Sequence, residues 1–228
     1  VANVDQLAIV ISTTNPEPRT GFVDRALVVA YDQGISPLII MTKQDLANGD
    51  NFLETYKDLE IPVFKTVKSS DLSELRNALT GKITVLIGHS GVGKSTLVNN
   101  LLAKNEVNKQ VDDQQSSYRQ TGDVNEVTGR GRHTSSSAVA LPLSSTFSGE
   151  NFGWIIDTPG VRSFGVAHIQ PSRVIAAFPE FSEPISLCPK NCSHNEQDCA
   201  LNTWQSFDDK NHARLASLRR VLSTGQGK

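Results

Sequence analysis

The chain has 228 residues, of which 38% are hydrophobic, and its 22 Lys and Arg residues nearly balance 24 Asp and Glu residues. At ~150 residues per domain, this length predicts one full domain and a smaller second part. The formal net charge of −2 excludes a histone-like basic binder and an acidic tail protein, although a local basic patch remains compatible with it. No apolar run approaches the ~18 to 20 residues that cross a bilayer, so we expect no membrane partner.

The first hundred residues alternate short apolar runs with amphipathic stretches. Strands are predicted at 7–11, at 37–41, from 62 onward and at 83–87. Helices are predicted at 20–33, near 50–58 and at 72–79. Short β-rich runs separated by helices favour right-handed βαβ crossovers, and hence an α/β fold with a mostly parallel sheet and helices on both faces.

The composition changes after Ala103, where residues 104–135 are rich in Gln, Ser, Thr and Gly. Such a stretch buries too little apolar surface to offset its ordering entropy, so a long mobile loop is predicted there. Strand candidates follow at 138–143 and 152–156. From Pro171 onward we expect a short helix, a cysteine cluster and an amphipathic helix near 209–222. This last part has few apolar residues for a core of its own.

A phosphate-binding loop is predicted at Gly88–Ser95, which fits G-x-x-x-x-G-K-[ST] between a predicted strand and a predicted helix. Glycines in this pattern let backbone amides approach phosphate oxygens, and the helix start adds positive charge. Lys94 is suited to the β and γ phosphates, and the Ser95 hydroxyl to Mg²⁺. The residues predicted to bind nucleotide here are Gly88, His89, Ser90, Gly91, Val92, Gly93, Lys94, Ser95 and Thr96.

Asp157-Thr158-Pro159-Gly160 follows the last predicted strand. In a chain that already contains a phosphate-binding loop, this D-x-x-G pattern predicts a γ-phosphate sensor, with Asp157 holding Mg²⁺ and the amide of Gly160 donating to the phosphate. Alone, the pattern would indicate an ordinary turn.

Thr42-Lys43-Gln44-Asp45 is similar to the [N/T]-K-x-D guanine-recognition motif of GTPases. The Asp45 carboxylate can accept from N1–H and the 2-amino group of guanine, and the Lys43 stem can cover the base. K-x-D alone is a common surface spacing, but a position at the carboxyl end of a strand favours ligand binding. Thr42 replaces the commoner Asn, which leaves open how the loop is braced.

The three motifs occur in an unusual order, since the guanine motif precedes the phosphate-binding loop and the sensor comes last. A circular permutation produces this order without moving any group in space, because termini that lie close together can be rejoined.

With this order, the chain resembles the circularly permuted bacterial GTPases that assist late assembly of the small ribosomal subunit. Two further stretches match that family, Gly129-Arg130-Gly131-Arg132-His133-Thr134 and the cysteine cluster. The resemblance implies a GTPase domain over 1–168 and a small, mainly helical, zinc-binding subdomain over 169–228. Members of the family begin with an OB-type RNA-binding barrel, and this chain starts at Val1 without a Met, so we expect a truncated or processed chain.

The resemblance also implies catalytic roles. Residues 104–135 would be a mobile switch I, with Thr134 contacting Mg²⁺ and Ser135 competing for that role. Val161 follows the sensor where many GTPases place a water-orienting Gln, and the family suggests His133 as the catalytic group instead. The alternative is that His133 is a loop residue that contacts RNA or solvent and has no catalytic role. Slow intrinsic hydrolysis is expected, and the base-contacting loop is expected near Thr66–Ser69.

All three cysteines lie between 188 and 199, whereas a disulfide framework would spread its cysteines along the chain. Cys188, Cys192, His194 and Cys199 form a Cys₃His set with the ligand types and number that structural zinc prefers. We therefore expect one zinc per chain, which would stabilise the small subdomain. His212 is the alternative fourth ligand, and the cysteine usage favours a cytoplasmic location.

The C-terminal part also carries a modest basic set, Lys190, Lys210, Arg214, Arg219, Arg220 and Lys228. Composition alone favours an ordinary solvated helix face, and only the resemblance favours contact with ribosomal RNA.

The leading hypothesis is thus a monomeric GTPase that binds GTP and GDP with Mg²⁺ and acts on the small ribosomal subunit and its 16S rRNA. Its turnover would be slow and stimulated by that subunit. The alternatives are a zinc-dependent RNA-binding module with negligible hydrolysis and a P-loop ATPase or kinase.

Overall fold

A computed structural model of the chain describes residues 3–103, 138–143, 153–160, 165–204 and 209–225. Within these ranges the chain forms six strands and seven α-helices. The strands are β1 (Gln6–Ser12), β2 (Ser36–Thr42), β3 (Val63–Lys65), β4 (Ile83–Ile87), β5 (Val139–Leu143) and β6 (Gly153–Asp157). The helices are α1 (Thr20–Asp32), α2 (Asp50–Glu54), α3 (Ser73–Leu79), α4 (Lys94–Ala103), α5 (Pro171–Ala176), α6 (Ser182–Ser186) and α7 (Asp209–Gly225). Short 3₁₀ helices lie at Lys57–Leu59, Pro179–Phe181 and Ala200–Asn202. No helix within these ranges is both long and apolar enough to cross a membrane.

The strands form one sheet in the order β3-β2-β1-β4-β6-β5. β1 pairs in parallel with β2 and with β4, and β6 continues the parallel set beside β4. β5 pairs antiparallel with β6 at the edge, as often happens at the edge of a mostly parallel sheet. The predicted mostly parallel α/β fold is confirmed.

Every residue of β1 is buried, which explains why its central run, Leu7–Ile11, is apolar without alternation. Ala8 and Val10 project from one side of the strand into a core that also receives residues from α3 and α4. Among the described residues, the buried members of this core are Ala8, Val10, Leu38, Ile40, Leu72, Leu75, Leu79, Leu86, Val92, Leu97, Val98, Leu101, Leu143 and Ile155.

The chain separates into two compact units that are each made from segments distant in sequence. The first unit contains the described parts of Val1–Pro18, Ile35–Gly49 and Ile61–Arg162, and therefore the whole sheet. The second contains the described parts of Arg19–Gly34, Asp50–Glu60 and Ser163–Lys228. The boundary between residues 168 and 169 stays a prediction, since neither unit is a single stretch of chain.

The second unit has its own buried cluster, to which α1 contributes Val28. Phe178 and Phe181 stack with ring centroids 6.4 Å apart, and Trp204 meets the Phe181 ring edge-on at 6.0 Å. Apolar residues of α7 and the side chain of Cys199 complete this cluster. The C-terminal residues thus form a larger core than their own composition predicted, because α1 packs with them.

A buried ion network centres on Arg214 of α7. Its Nη1 lies 2.6 Å from Asp24 Oδ1, and its Nε lies 2.6 Å from Glu180 Oε1. The guanidinium also lies 4.2 Å from the centroid of the Phe178 ring. Burial alone would lower the pKa of Arg214, but the nearby carboxylates of Asp24 and Glu180 raise it instead.

The prediction that Arg214 belongs to an exposed basic surface is therefore wrong, because its side chain is only 3% exposed. The residue lies on the face of α7 that also carries buried Leu215 and Leu218, and this face packs in the second unit. A helix presents every third or fourth residue to the same side, so a charged residue on the packed face must find its partners inside.

Replacing Arg214 with Met should destabilise the protein strongly, because Asp24 and Glu180 would remain in place without their buried partner. Removing one member of a buried pair typically lowers the free energy of unfolding by about 3–5 kcal/mol. Urea unfolding of R214M and of the wild type measures the difference. Arg220 is exposed on the same helix, and R220M, the matched control, should change stability by no more than about 0.5 kcal/mol. Equal effects of the two substitutions would contradict the stabilising role of the network.

Candidate nucleotide site and candidate metal centre

The three sequence motifs meet at one edge of the sheet in the first unit. The guanine motif begins at the last residue of β2, the phosphate-binding loop follows β4, and the sensor begins at the last residue of β6. Strands β2, β4 and β6 run parallel, with β1 between the first two, so their carboxyl ends lie on the same side. This edge is where open α/β sheets bind ligands.

The conformation of the phosphate-binding loop requires glycine at several of its positions. Gly91 and Gly93 have φ values of 86° and 89°, which side-chain-bearing residues rarely adopt. A Cβ on Gly88 would lie 2.6 Å from the carbonyl oxygen of Val10, so β1 passes too close for any side chain. Val92, between these glycines, is buried in the core and anchors the loop. Helix α4 begins at Lys94, so the last two residues of the motif, Lys94 and Ser95, form the first turn of the helix.

Lys94 connects the phosphate-binding loop to the sensor. Its Nζ lies 3.1 Å from Asp157 Oδ1 and donates to the Thr158 carbonyl oxygen at 2.6 Å. The sensor lies close to the loop, because a Cβ on Gly160 would be 2.9 Å from the backbone nitrogen of Ser90. The predicted phosphate and magnesium residues of the described chain are therefore adjacent.

Thr42 braces the phosphate-binding loop from the neighbouring motif. Its Oγ1 lies 2.5 Å from the Val92 carbonyl oxygen and 3.2 Å from the Ile11 carbonyl oxygen. A hydroxyl has one proton, so the shorter contact is the principal hydrogen bond. The question that Thr42 raised in the sequence is thus resolved, since its hydroxyl supplies the brace between the guanine motif and the phosphate-binding loop.

The loop after β1 holds Lys43, a support that the sequence analysis missed. Thr13 donates its hydroxyl to the Lys43 carbonyl oxygen at 2.6 Å, and the Lys43 ammonium donates to the Asn15 carbonyl oxygen. Burial and the nearby ammonium of Lys68 lower the pKa of Lys43. Asp45, two residues on, is exposed and so accessible to a ligand. The polar residues that follow the apolar run of β1 are the feature of the sequence that could have indicated this support for Lys43.

The loop after β3 lies beside the guanine motif, where the base-contacting loop was expected. Thr66 donates its backbone N–H to the Met41 carbonyl oxygen at 2.8 Å and accepts from the Gln44 N–H at 3.3 Å. Asn100 of α4 donates its side-chain amide to the Lys68 carbonyl oxygen at 2.8 Å. Base contact by this loop stays a prediction.

Several predicted site residues lie outside the described residues. They are His133, Thr134, Ser135 and Val161, together with the rest of the 104–135 stretch. Their catalytic and magnesium roles therefore remain predictions from the family resemblance.

The cysteine cluster brings four candidate ligand atoms together in the second unit. One atom from each of Cys188, Cys192, His194 and Cys199 lies within 4.8 Å of the others. Cys188 Sγ is 3.8 Å from Cys199 Sγ and 3.6 Å from His194 Nδ1. With Zn–S of about 2.3 Å and Zn–N of about 2.0–2.1 Å, a tetrahedral site has S···S and S···N edges of about 3.8 and 3.6 Å. These two distances match the edges of a tetrahedral site, and the four atoms together could hold a metal ion.

The backbone around His194 supports the same interpretation. Burial raises the pKa of Cys192, and the backbone N–H of His194, which donates to Cys192 Sγ at 3.3 Å, opposes that rise. Burial lowers the pKa of His194, which favours the neutral imidazole that metals bind. The backbone amide of Ser193 donates to the Glu196 carboxylate and lowers the pKa of Glu196 to about 2.

His212, the alternative fourth ligand, is on α7 and is not a member of the four-residue group found among the described residues.

The chain is similar to curated proteins named small ribosomal subunit biogenesis GTPase RsgA. It is 35% identical to the protein from Pseudomonas aeruginosa and 34% identical to that from Azotobacter vinelandii, and both matches cover 98% of this chain. The chain spans 63% and 62% of the length of these two relatives.

Two solved structures are similar to this chain over almost its whole length. The crystal structure of YjeQ from Thermotoga maritima matches with a TM-score of 0.69 and 26% identity, covering 100% of this chain and 73% of that one. YloQ, described as a circularly permuted GTPase, matches in fold with a TM-score of 0.60 at 23% identity, over 99% of this chain and 70% of that one. The model of the RsgA GTPase family matches residues 1–167, which is most of the chain, and the chain therefore belongs to the RsgA GTPase family.

Proposed function

We propose that this chain binds GTP and GDP with Mg²⁺ and hydrolyses GTP at the carboxyl edge of its sheet. The observation that carries the proposal is the meeting of a guanine motif, a phosphate-binding loop and a D-x-x-G sensor around the carboxyl end of β1. Each motif alone is common, but their convergence supplies base recognition and phosphate binding in one site.

In this proposal, the backbone amides of Gly88–Thr96 and the Lys94 ammonium bind the phosphates. The Gly160 amide would donate to the γ-phosphate. Lys94 lies against Asp157 and the Thr158 carbonyl oxygen, at 3.1 and 2.6 Å. When a nucleotide binds, the Lys94 ammonium would therefore give up part of its contact with Asp157 and Thr158 and contact phosphate oxygens instead.

The magnesium ligands proposed within the described chain are Ser95 and Asp157, whose oxygen atoms match the hard donors that Mg²⁺ prefers. Thr134 or Ser135 would add a third ligand. When bound, Mg²⁺ neutralises charge that develops on the phosphates. Asp157 is completely buried at the end of β6, so its carboxylate has a well-defined position.

For hydrolysis, we propose that His133 orients or deprotonates the attacking water. An imidazole with an ordinary pKa is neutral for much of the time near pH 7 and can accept a proton. Val161 cannot hydrogen-bond to water through its side chain, unlike the Gln that many GTPases place there. This difference supports a slow intrinsic rate.

The guanine assignment is tested with Asp45→Asn. The amide of Asn keeps one acceptor oxygen and so loses one charge-assisted hydrogen bond, worth about 1.5–3 kcal/mol, and GTP affinity should fall by about 10- to 100-fold. Xanthine nucleotides should bind better than before, because a 2-oxo group accepts from the new amide. Binding of GTP, XTP and ATP analogues by fluorescence titration measures this.

Asp58→Asn is the matched control, since Asp58 is an exposed carboxylate on the 3₁₀ helix Lys57–Leu59. It should leave all three affinities unchanged. An unaltered preference for GTP in D45N, or tighter binding of ATP than of GTP by the wild type, would contradict the guanine assignment and favour an ATPase or kinase.

We further propose that the activity serves late assembly of the small ribosomal subunit, with the subunit and its 16S rRNA as partners and the protein acting as a cytoplasmic monomer. The names of the relatives, small ribosomal subunit biogenesis GTPase, support this assignment. The basic residues that remain available for RNA are fewer than composition indicated, because Arg214 is buried in an ion network.

This assignment predicts that small ribosomal subunits accelerate GTP hydrolysis many-fold, since the partner would position the water and the catalytic group. Phosphate release by the purified protein, with and without purified small subunits, measures the effect. Lys94→Ala should show no acceleration and controls for contaminating GTPases. Equal rates with and without subunits would instead favour an RNA-binding module with negligible hydrolysis.

We propose that the metal held by the Cys₃His cluster is a structural zinc ion, one per chain. Three thiolates and one imidazole are the borderline-soft donors that zinc prefers, and four protein ligands leave no open position for catalysis. The contact of Cys188, Cys192 and Cys199 with the core of the second unit supports a stabilising role.

Removal of the metal should therefore lower the melting temperature markedly. Metal analysis of the purified chain should find one zinc, and incubation with a strong chelator should lower the melting temperature, which added zinc restores. The Cys192→Ser variant should show the lower melting temperature without chelator. A different metal, or a melting temperature insensitive to chelator, would contradict the zinc assignment.

A further inference from the structure

Arg219 of α7 reaches the loop that carries the candidate metal ligands. Its Nε donates to the His194 carbonyl oxygen at 2.8 Å, and its Nη2 donates to Asn202 Oδ1 at 2.6 Å. From composition, Arg219 was expected on a solvated helix face, and only the family resemblance favoured its contact with RNA. The structure instead directs two of its donors into its own unit.

Asn202 extends this contact to the other side of the ligand loop. Its side-chain amide donates to the carbonyl oxygens of Glu196 and Gln197, at 2.8 and 3.1 Å. Both carbonyls lie between His194 and Cys199, the third and fourth ligand positions in the chain. Arg219 and Asn202 therefore hold the backbone of this stretch at three carbonyl groups.

The stretch needs such support because of its backbone conformation. His194 has a φ of 66°, in the left-handed region that a residue with a side chain rarely adopts. The same conformation directs the imidazole so that Nδ1 lies 3.6 Å from Cys188 Sγ. A hydrogen bond from Arg219 to the carbonyl of this residue stabilises the conformation in which His194 joins the cluster.

The chemistry of arginine suits this task better than that of lysine. A guanidinium carries donors in a rigid planar fork, so one side chain can serve two acceptors in fixed directions. Here the two acceptors belong to different parts of the unit, the ligand loop and the 3₁₀ helix Ala200–Asn202. Metal sites commonly depend on such outer contacts to orient their ligands.

We propose that Arg219 is a positioning residue of the metal centre, which acts from α7 through His194 and, together with Asn202, sets the geometry and affinity of the Cys₃His site. This proposal rests on the proposed metal binding by the cluster. It assigns Arg219 to ligand orientation and not to the RNA contact that its charge suggested.

The test compares Arg219→Gln with the wild type and with Arg220→Gln, a neighbouring exposed arginine of the same helix. Zinc affinity is measured by competition with a chelating dye, and the ligand geometry by the absorption spectrum of the Co²⁺-loaded protein. R219Q should bind zinc about 10- to 100-fold more weakly and should shift the d–d bands of Co²⁺. R220Q should match the wild type, and Arg219→Lys should restore affinity only in part.

If R219Q does not fold by circular dichroism, Asn202→Ala is measured in its place, with the same weakening and spectral shift expected. A lower melting temperature with unchanged zinc affinity and an unchanged Co²⁺ spectrum would overturn the proposal, because a purely structural arginine predicts that combination. If the wild type itself binds neither metal, the proposed metal site fails and the role of Arg219 fails with it. Weaker zinc binding by R219Q, with unchanged binding by the wild type and R220Q, supports both the metal site and the role of Arg219.

Discussion

The parallel pairing of β1 with β2 on one side and with β4 on the other is the constraint on which the candidate nucleotide site depends. In this register Ser12 lies opposite Thr42, and Ile9 lies opposite Ile87. The guanine motif and the phosphate-binding loop therefore begin on either side of the same central strand. Thr42 spans the remaining distance with a hydroxyl that contacts the carbonyls of both Ile11 and Val92.

This arrangement explains why the order of the motifs along the chain is immaterial to the chemistry. The sheet brings together strand ends, and a strand end has the same position whichever loop joins it to the next strand. The close approach of Gly88 to the Val10 carbonyl and of Gly160 to Ser90 shows how tightly the loops are placed. A Cβ at either glycine would push these backbone segments apart.

The second unit is held by a different combination of forces. Its apolar cluster joins α1, α5 and α7, and two arginines of α7 extend the packing with hydrogen bonds. Arg214 pairs with Asp24 and Glu180 in the interior, whereas Arg219 holds the ligand loop through His194 and Asn202. The two arginines are five residues apart in α7, so they project in different directions and serve different parts of the unit.

Local patterns predicted most elements of the fold to within a few residues, because strong apolar runs and helical spacing are properties of short segments. Strands β1, β2 and β4 each extend no more than one residue beyond their predicted ends. The mostly parallel arrangement also followed from the alternation of strands and helices. What local patterns missed was the contribution of α1 to the second unit, since Val28 and Asp24 find their partners more than a hundred residues away.

The sequence by itself determined which residue types and spacings occur in the candidate phosphate-binding loop, sensor, guanine motif and Cys₃His set, because these are local properties of the chain. Only the tertiary structure decided which side chains support them. Thr13 and Asn15 hold Lys43, Thr42 holds Val92, and the roles of Arg214 and Arg219 reverse the expectation from their charge. The reason is physical: a polar side chain acts according to the partners that folding brings to it, and those partners are distant in sequence.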